Sequence, residues 1–137
     1  MREAALRLGA GTYLDAEEAS AGKSLRRMGG AQLVIATASA TAALEDAING
    51  LALHGRLTVV GFDATPLSLD LDKLVAHARS VTGHLTGSPV EIEAAMRFAV
   101  AHDARPLVQT KPLNQAAEAL AQQAGRARFR MVLTADD

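Results

Sequence analysis

The chain has 137 residues, with 14 basic against 15 acidic side chains, a formal net charge of -1 and no cysteine. That balance, with no block of like charge, excludes an electrostatic nucleic-acid or membrane surface, and the lack of thiols excludes disulfides and thiolate metal sites within these residues. An apolar share of 49% with only 3% aromatic residues implies one domain-sized unit with a core of Ala, Leu, Val and Ile.

The elements alternate between helix and strand. Arg2 to Leu8 reads as the end of a helix closed by Gly9, and Thr12 to Leu14 as a short strand. Asp15 offers an N-cap with Glu18 as its capping-box partner, which predicts a helix reaching about Met28 and stopping at Gly29-Gly30. Gln32 to Ala36 is apolar and continuous, the pattern of a strand buried on both faces. Ser39 or Thr41 caps the next helix, whose stripe Leu44, Ala47, Ile48 and Leu51 has helical spacing. Gly55 ends that unit, and Arg56 to Val60 is a second buried strand.

Asp63 to Pro66 is a loop. Leu71, Leu74, Val75 and Ala78 mark a short helix, and Ser80 to Leu85 a third core strand. Ser88-Pro89-Val90-Glu91 combines a serine cap, a proline at the first helical position and a glutamate that reaches back. The helix it opens is expected to bury Ile92, Ala95, Met96, Ala99 and Val100, and Pro106 forbids its continuation. Leu107 to Thr110 is extended, Asn114 caps a last helix ending at Gly125, and Phe129 to Leu133 is the final strand. Strands joined by helices of this length predict right-handed crossovers and a parallel sheet. No apolar run is long enough to cross a bilayer, and Met1-Arg2-Glu3 leads straight into a charged helix pattern with no signal peptide. A soluble, cytoplasmic protein is the default reading, with neither nucleic acid nor membrane as partner.

Five segments carry a resemblance: Leu8-Gly9-Ala10; Gly30 to Ala38; Gly55-Arg56-Leu57-Thr58-Val59-Val60-Gly61; Gly83-His84-Leu85-Thr86-Gly87; and Ala124 to Leu133. Each alone is weak, but their order and spacing over nearly the whole chain resemble the second half of the medium-chain dehydrogenase/reductase family, most closely its zinc-type alcohol dehydrogenases. The resemblance implies that residues 1–137 are a partial nucleotide-binding domain. It would be a Rossmann-like, doubly wound parallel α/β sheet of order 3-2-1-4-5-6 that lacks its first two strands and the glycine-rich phosphate loop. On this reading the chain is a fragment, a truncated gene product or a misread frame. Thr12 to Leu14 would stand apart from Gln32 to Ala36 by a gap of about 10 Å or more, at ~4.8 Å per strand, leaving edges open to association.

The resemblance also places the cofactor, NAD or NADP in the parent enzyme. Val60, His84 and Thr86 would hold the nicotinamide carboxamide mostly through backbone groups. Thr37, with Ala38 and Ser39, would lie along the ribose, and Arg130 would reach the pyrophosphate. The alternative for each is an ordinary strand-end turn, or, for Arg126, Arg128 and Arg130, a solvated strand face. The parent's zinc belongs to a domain outside these residues, so the resemblance implies no catalytic residue and no metal ligand here, and no tight cofactor binding by this chain alone. His54, His77, His84 and His102 show no ligand spacing. The helix start at Ser88 could hold an anion, although capping alone explains it.

Three functions stay open. The chain is a piece of an enzyme oxidising an alcohol to an aldehyde or ketone with zinc assistance. It is a non-catalytic binding or dimerisation module, for which the resemblance implies a homo-oligomer joined through the sheet edge near Ser68-Leu69 and Ser80 to Leu85. Or it is a piece of a zinc-free quinone or enoyl reductase.

Overall fold

A computed structural model describes residues 1–37, 40–124 and 129–135. The chain forms two compact units, Met1–Thr86 and Gly87–Asp137.

In the first unit, α1 (Arg2–Arg7) is followed by α2 (Ala21–Arg27), β1 (Ala31–Ala36), α3 (Thr41–Asn49), β2 (Leu51–Val59), α4 (Leu71–Ala76) and β3 (Ser80–Gly83). The three strands are parallel in the order β1-β2-β3. Two successive right-handed crossovers that step in the same direction place both connecting helices on one face of a sheet. The structure agrees, because Glu45, Ile48 and Asn49 of α3 share a surface groove with Asp70 and Lys73 at the start of α4. Strand alternation then decides the core. Val34, Ala36, Leu57, Val59 and Val81 fall on the helix side, around buried Leu44, Ile48, Leu51 and Leu57.

The opposite face receives no crossover helix. Leu33 and Ile35 lie there, 55% and 61% exposed, with Arg56 and Thr58 across from them in register. The expected burial of Gln32 to Ala36 and Arg56 to Val60 on both faces is therefore corrected to burial on one face. Continuous apolar sequence signals a strand whose two faces can both be covered, but only one face is covered by these helices.

β2 starts earlier than expected. Gly55 lies inside it, because the register jumps from Ala31↔Leu51 to Leu33↔Arg56. The extra residues bulge at His54, whose φ is 57° and whose N–H donates to the His77 carbonyl at 2.9 Å. The Arg79 guanidinium donates to the carbonyls of Leu51 and Ala52, satisfying groups that the bulge removes from the ladder.

The start of α2 also differs. Asp15 forms only a turn, accepting from the Glu17 N–H at 3.1 Å, with no capping box to Glu18. Ser20 is the N-cap, its hydroxyl oxygen accepting from the Lys23 N–H at 3.0 Å. The reason is tertiary. Asp46 on α3 accepts from the Ser20 hydroxyl at 2.6 Å and from the Gly22 N–H at 2.9 Å, so α3 fixes where α2 begins. Gly22 allows this approach, since a Cβ there would lie 2.0 Å from the Asp46 carbonyl oxygen. α2 closes as expected at Gly29 and Gly30, both with positive φ.

Two further expectations are corrected. Thr12 to Leu14 is not a strand, since three residues with no neighbouring strand have no ladder to join. β1 is an outer strand of its sheet, paired only with β2, so the edge expected to stand open beside Gln32 to Ala36 carries no strand among the described residues. α3 is capped at Ala40 without a side-chain bond, and Thr41 is its first residue; Ser39 lies outside the described residues.

The second unit contains α5 (Pro89–Ala101), β4 (Val108–Pro112), α6 (Ala116–Ala124) and β5 (Arg130–Thr134), with β4 and β5 parallel. The capping box at Ser88 and Glu91 and the proline at the helix start form as expected. Asn114 does not cap α6; it lies inside a 3₁₀ turn, Leu113–Gln115, that feeds the helix. α6 carries the packing on the two strands, burying Ala119, and Lys111 of β4 pairs with Glu118 of α6 at 2.6 Å. α5 has no such role, so the expected burial of Ile92, Ala95, Met96 and Val100 is corrected to exposure, reaching 84% at Val100. Ala99 is half-buried.

Two outcomes follow from the α2–α3 junction. Gly22→Ala forces a backbone contact apart and lowers stability by about 1–3 kcal/mol, whereas Gly83→Ala, with open space at its Cβ, changes it little; urea denaturation of both variants compares them. Burial pushes the Asp46 carboxyl up, but hydrogen bonds from Gly22, Ser20 and Ala21 outweigh this and hold it below the ordinary 3.8. A depressed carboxylate stabilises the fold above its unfolded value, and that contribution disappears as pH falls through the folded value. Asp46→Asn therefore flattens the acid limb of the melting curve below about pH 4.

Candidate functional site

Parallel strands in register end together, and the crevice outside their carboxyl ends is where open α/β sheets bind ligands. Thr37 follows β1, Val60 follows β2 and His84 follows β3. The structure thus brings three of the sequence-derived site residues to one edge of one sheet. The Val60 N–H donates to the Ala36 carbonyl at 2.9 Å, the Gly61 N–H to the same carbonyl at 3.0 Å, and the His84 N–H to the Val59 carbonyl at 2.9 Å. These N–H groups are committed to neighbouring strands. Of their backbone groups, what Val60 and His84 can still offer a ligand is their carbonyls.

Thr86 is exposed and is the last residue of the first unit. Arg130 is exposed at the start of β5, paired in register with Val108, and belongs to the second unit. Ala38, Ser39, Arg126 and Arg128 lie outside the described residues.

Beside these strand ends is a cleft of about 380 Å³ lined by Val59, Val60, Phe62, Gly83, His84 and Leu85. Its side chains are mostly apolar, which suits a flat ring system held at its edges by a few polar groups. Phe62 and Leu85 were not among the sequence-derived candidates. The available signal was their spacing: each flanks a candidate strand end, and Phe62 stands in a chain with only 3 phenylalanines.

A polar cluster adjoins the cleft. Asp63 follows Phe62, and its Oδ1 accepts from the Thr65 N–H at 2.8 Å and from the Thr41 hydroxyl at 2.8 Å. The Thr65 carbonyl is 3.3 Å from the same Thr41 oxygen. The Thr65 N–H, followed by the Thr41 hydroxyl, holds the Asp63 carboxyl below its ordinary value.

Other candidates resolve into structure. The helix start at Ser88 is occupied by its own capping box, with the Ser88 N–H donating to Glu91 Oε2 at 2.7 Å. The His77 ring Nδ1 lies 3.1 Å from the Lys73 carbonyl. Among the described residues no group of three or more His, Cys, Asp or Glu could hold a metal ion, and no helix is long and apolar enough to cross a membrane.

Comparison with known proteins decides the family. The family described as zinc-binding dehydrogenase matches residues 1–101. The chain belongs to that family. Alcohol dehydrogenase notN of Aspergillus sp. (strain MF297-2) is 37% identical over 137 residues, covering 98% of this chain and 40% of the relative. Aldehyde reductase AdhA of Synechocystis sp. is 39% identical over 88 residues, covering 64% of this chain and 26% of the relative. Among solved structures, benzyl alcohol dehydrogenase from Acinetobacter calcoaceticus superposes with a TM-score of 0.85 at 17% identity, over 96% of this chain and 39% of that one. The alcohol dehydrogenase of Aeropyrum pernix gives 0.84 at 24% identity, over 96% of this chain and 39% of that one. The structural likenesses show the fold, a Rossmann-like parallel α/β arrangement. The chain spans about 40% of the length of the alcohol dehydrogenase from Aspergillus.

The family name implies zinc. These residues do not fit one: the 137-residue sequence has no cysteine, and the described residues hold no cluster of ligands. No chemical step can be derived through a metal held by this chain. A nicotinamide cofactor fits better, because the crevice supplies edge carbonyls beside an apolar cleft.

Proposed function

We propose that the crevice at the ends of β1, β2 and β3 receives the nicotinamide end of NAD or NADP. On this reading the chain is the cofactor-side portion of an alcohol dehydrogenase-like oxidoreductase that converts an alcohol to an aldehyde or ketone. One observation carries it: Thr37, Val60 and His84 follow three adjacent parallel strands, beside a cleft lined by Val60, Phe62, His84 and Leu85. A carboxamide has an NH2 that donates and a carbonyl that accepts. The carbonyls of Val60 and His84 would take the first, and the Thr86 N–H would serve the second. Thr37 would border the ribose. Arg130 has the planar fork that pairs two phosphate oxygens at once. The cofactor supplies hydride acceptance when bound; this chain's residues bind and orient it.

The same residues offer no metal set and no general acid–base pair, so turnover of an alcohol by these 137 residues alone is not part of the proposal, nor is tight cofactor binding. Titration of the isotope-labelled chain with nicotinamide mononucleotide is expected to move the amide signals of Val60, His84 and Thr86 weakly and together. Adenosine monophosphate is expected to leave them in place. Signals that stay fixed with both ligands overturn the crevice assignment. Tight, stoichiometric NAD(H) uptake, or alcohol-dependent NADH formation, overturns the statement that these residues are insufficient alone.

A second reading is favoured by one observation. β3 is the outer strand of its sheet, paired on one side only, and such an edge is a template for another strand. We propose that copies of the chain associate through it. Thr82 is exposed on β3, and Thr82→Lys places a charge that opposes strand pairing. Sedimentation velocity is expected to show a dimer for the parent chain and a monomer for the variant; a monomeric parent removes this reading.

A further inference from the structure

We propose that Asp63 is a positioning residue that fixes Phe62 as one wall of the strand-end cleft, so that a flat nicotinamide ring meets a preformed slot; this rests on the cofactor reading of the crevice. Three observations carry it.

First, Phe62 lines the cleft with Val60, His84 and Leu85, yet it is 72% exposed. Packing alone does not hold it. A side chain so exposed on a loop samples several rotamers unless its backbone is fixed.

Second, the next residue supplies that fixation. Asp63 Oδ1 accepts from the Thr65 N–H, closing a local Asx turn, and from the Thr41 hydroxyl at the first residue of α3, each at 2.8 Å. Thr41 is the only one of these groups outside the loop. Its bond ties the connection after β2 to the first residue of the helix that follows β1.

Third, the tie continues a backbone fixation on the strand side. The N–H groups of Val60 and Gly61 both donate to the Ala36 carbonyl. Phe62 is thus held between a doubly bonded strand end and an anchored turn. A preformed site loses less ordering entropy when ligand binds. The anchor does not touch the ligand, so it acts only through Phe62.

The test compares Asp63→Ala, Thr41→Val and Asp63→Asn in the full 137-residue chain. Asparagine keeps an oxygen able to accept both bonds, so it separates positioning from charge. In Asp63→Ala, amide exchange at residues 61–65 is expected to accelerate about tenfold, and binding of nicotinamide mononucleotide to weaken about fivefold, the cost of ordering one side chain on binding. Thr41→Val is expected to give a partial loss of both, and Asp63→Asn to restore both. Amide exchange in α2 and β1, away from the turn, is expected to stay unchanged in all three, which a general structural role would not allow. Unchanged exchange at residues 61–65 in Asp63→Ala overturns the anchor, and so does an Asp63→Asn variant as loose as Asp63→Ala. Failure of the mononucleotide to move Val60 and His84 in the parent chain overturns the cofactor reading and with it the slot, whatever the exchange shows.

Discussion

The register of three parallel strands is the constraint on which the rest depends. Val34 opposite Leu57 opposite Val81 puts the apolar residues of all three strands on the helix-covered side. It also makes the strands terminate at Ala36, Val59 and Gly83, which are themselves register partners. The crevice is the geometric result of that common ending. A slip of one residue in β2 would turn Leu57 out of the core and carry Val60 away from Ala36. The bulge at His54 and Gly55 absorbs the extra length of β2 between the Ala31–Leu51 pair and the continuous stretch from Leu33–Arg56, and Arg79 closes the carbonyls it exposes. The irregular half of β2 thereby protects the regular half.

Much of this was legible in the sequence, for identifiable reasons. The strands after Gly30 and around Leu57, and the helix start at Ser88, were readable because their signals are local: an apolar run, or a cap with its partner three residues on. Val60 and His84 come from the family resemblance, which assigns them to strand ends, and β2 and β3 stop one residue before each. The misplaced features depend on partners distant in sequence. Asp15 and Ser20 are both competent caps, and only Asp46, 26 residues beyond Ser20, selects Ser20. The stripe on α5 has helical spacing, but spacing does not state whether another element lies against it. Phe62 is not legible as a site residue, because a lone aromatic in a loop has no periodic signature.

The first unit buries few side chains completely, Leu51 and Leu57 being the largest among the described residues. A core of small aliphatic residues supplies limited apolar area. Close backbone approach and polar ties must carry more of the specification. Gly22 lets α2 lie against α3, and Gly30 lets the α2–β1 turn pass Ala52, where a Cβ would stand 2.8 Å from backbone. Asp46 then joins the two helices through hydrogen bonds that need no bulk. Such contacts fix direction and register more than they add stability, so removing one costs alignment as well as energy.

That division of labour explains why the strand ends at the crevice are fixed by backbone hydrogen bonds. A site on side chains needs packed neighbours to hold rotamers, and this unit has few to spare. A site on strand-end carbonyls takes its precision from the ladder, where the N–H groups of Val60 and His84 are already committed to Ala36 and Val59. The chemistry offered at Val60 and His84 therefore persists through substitution of nearby side chains, while it is sensitive to anything that shifts β2 against β1. Phe62 is the exception, a side chain that must be placed at the same edge with little packing around it. An Asx turn and one threonine hydroxyl are the least bulky means of placing it, consistent with a unit that aligns its parts by short polar bonds and bare glycines.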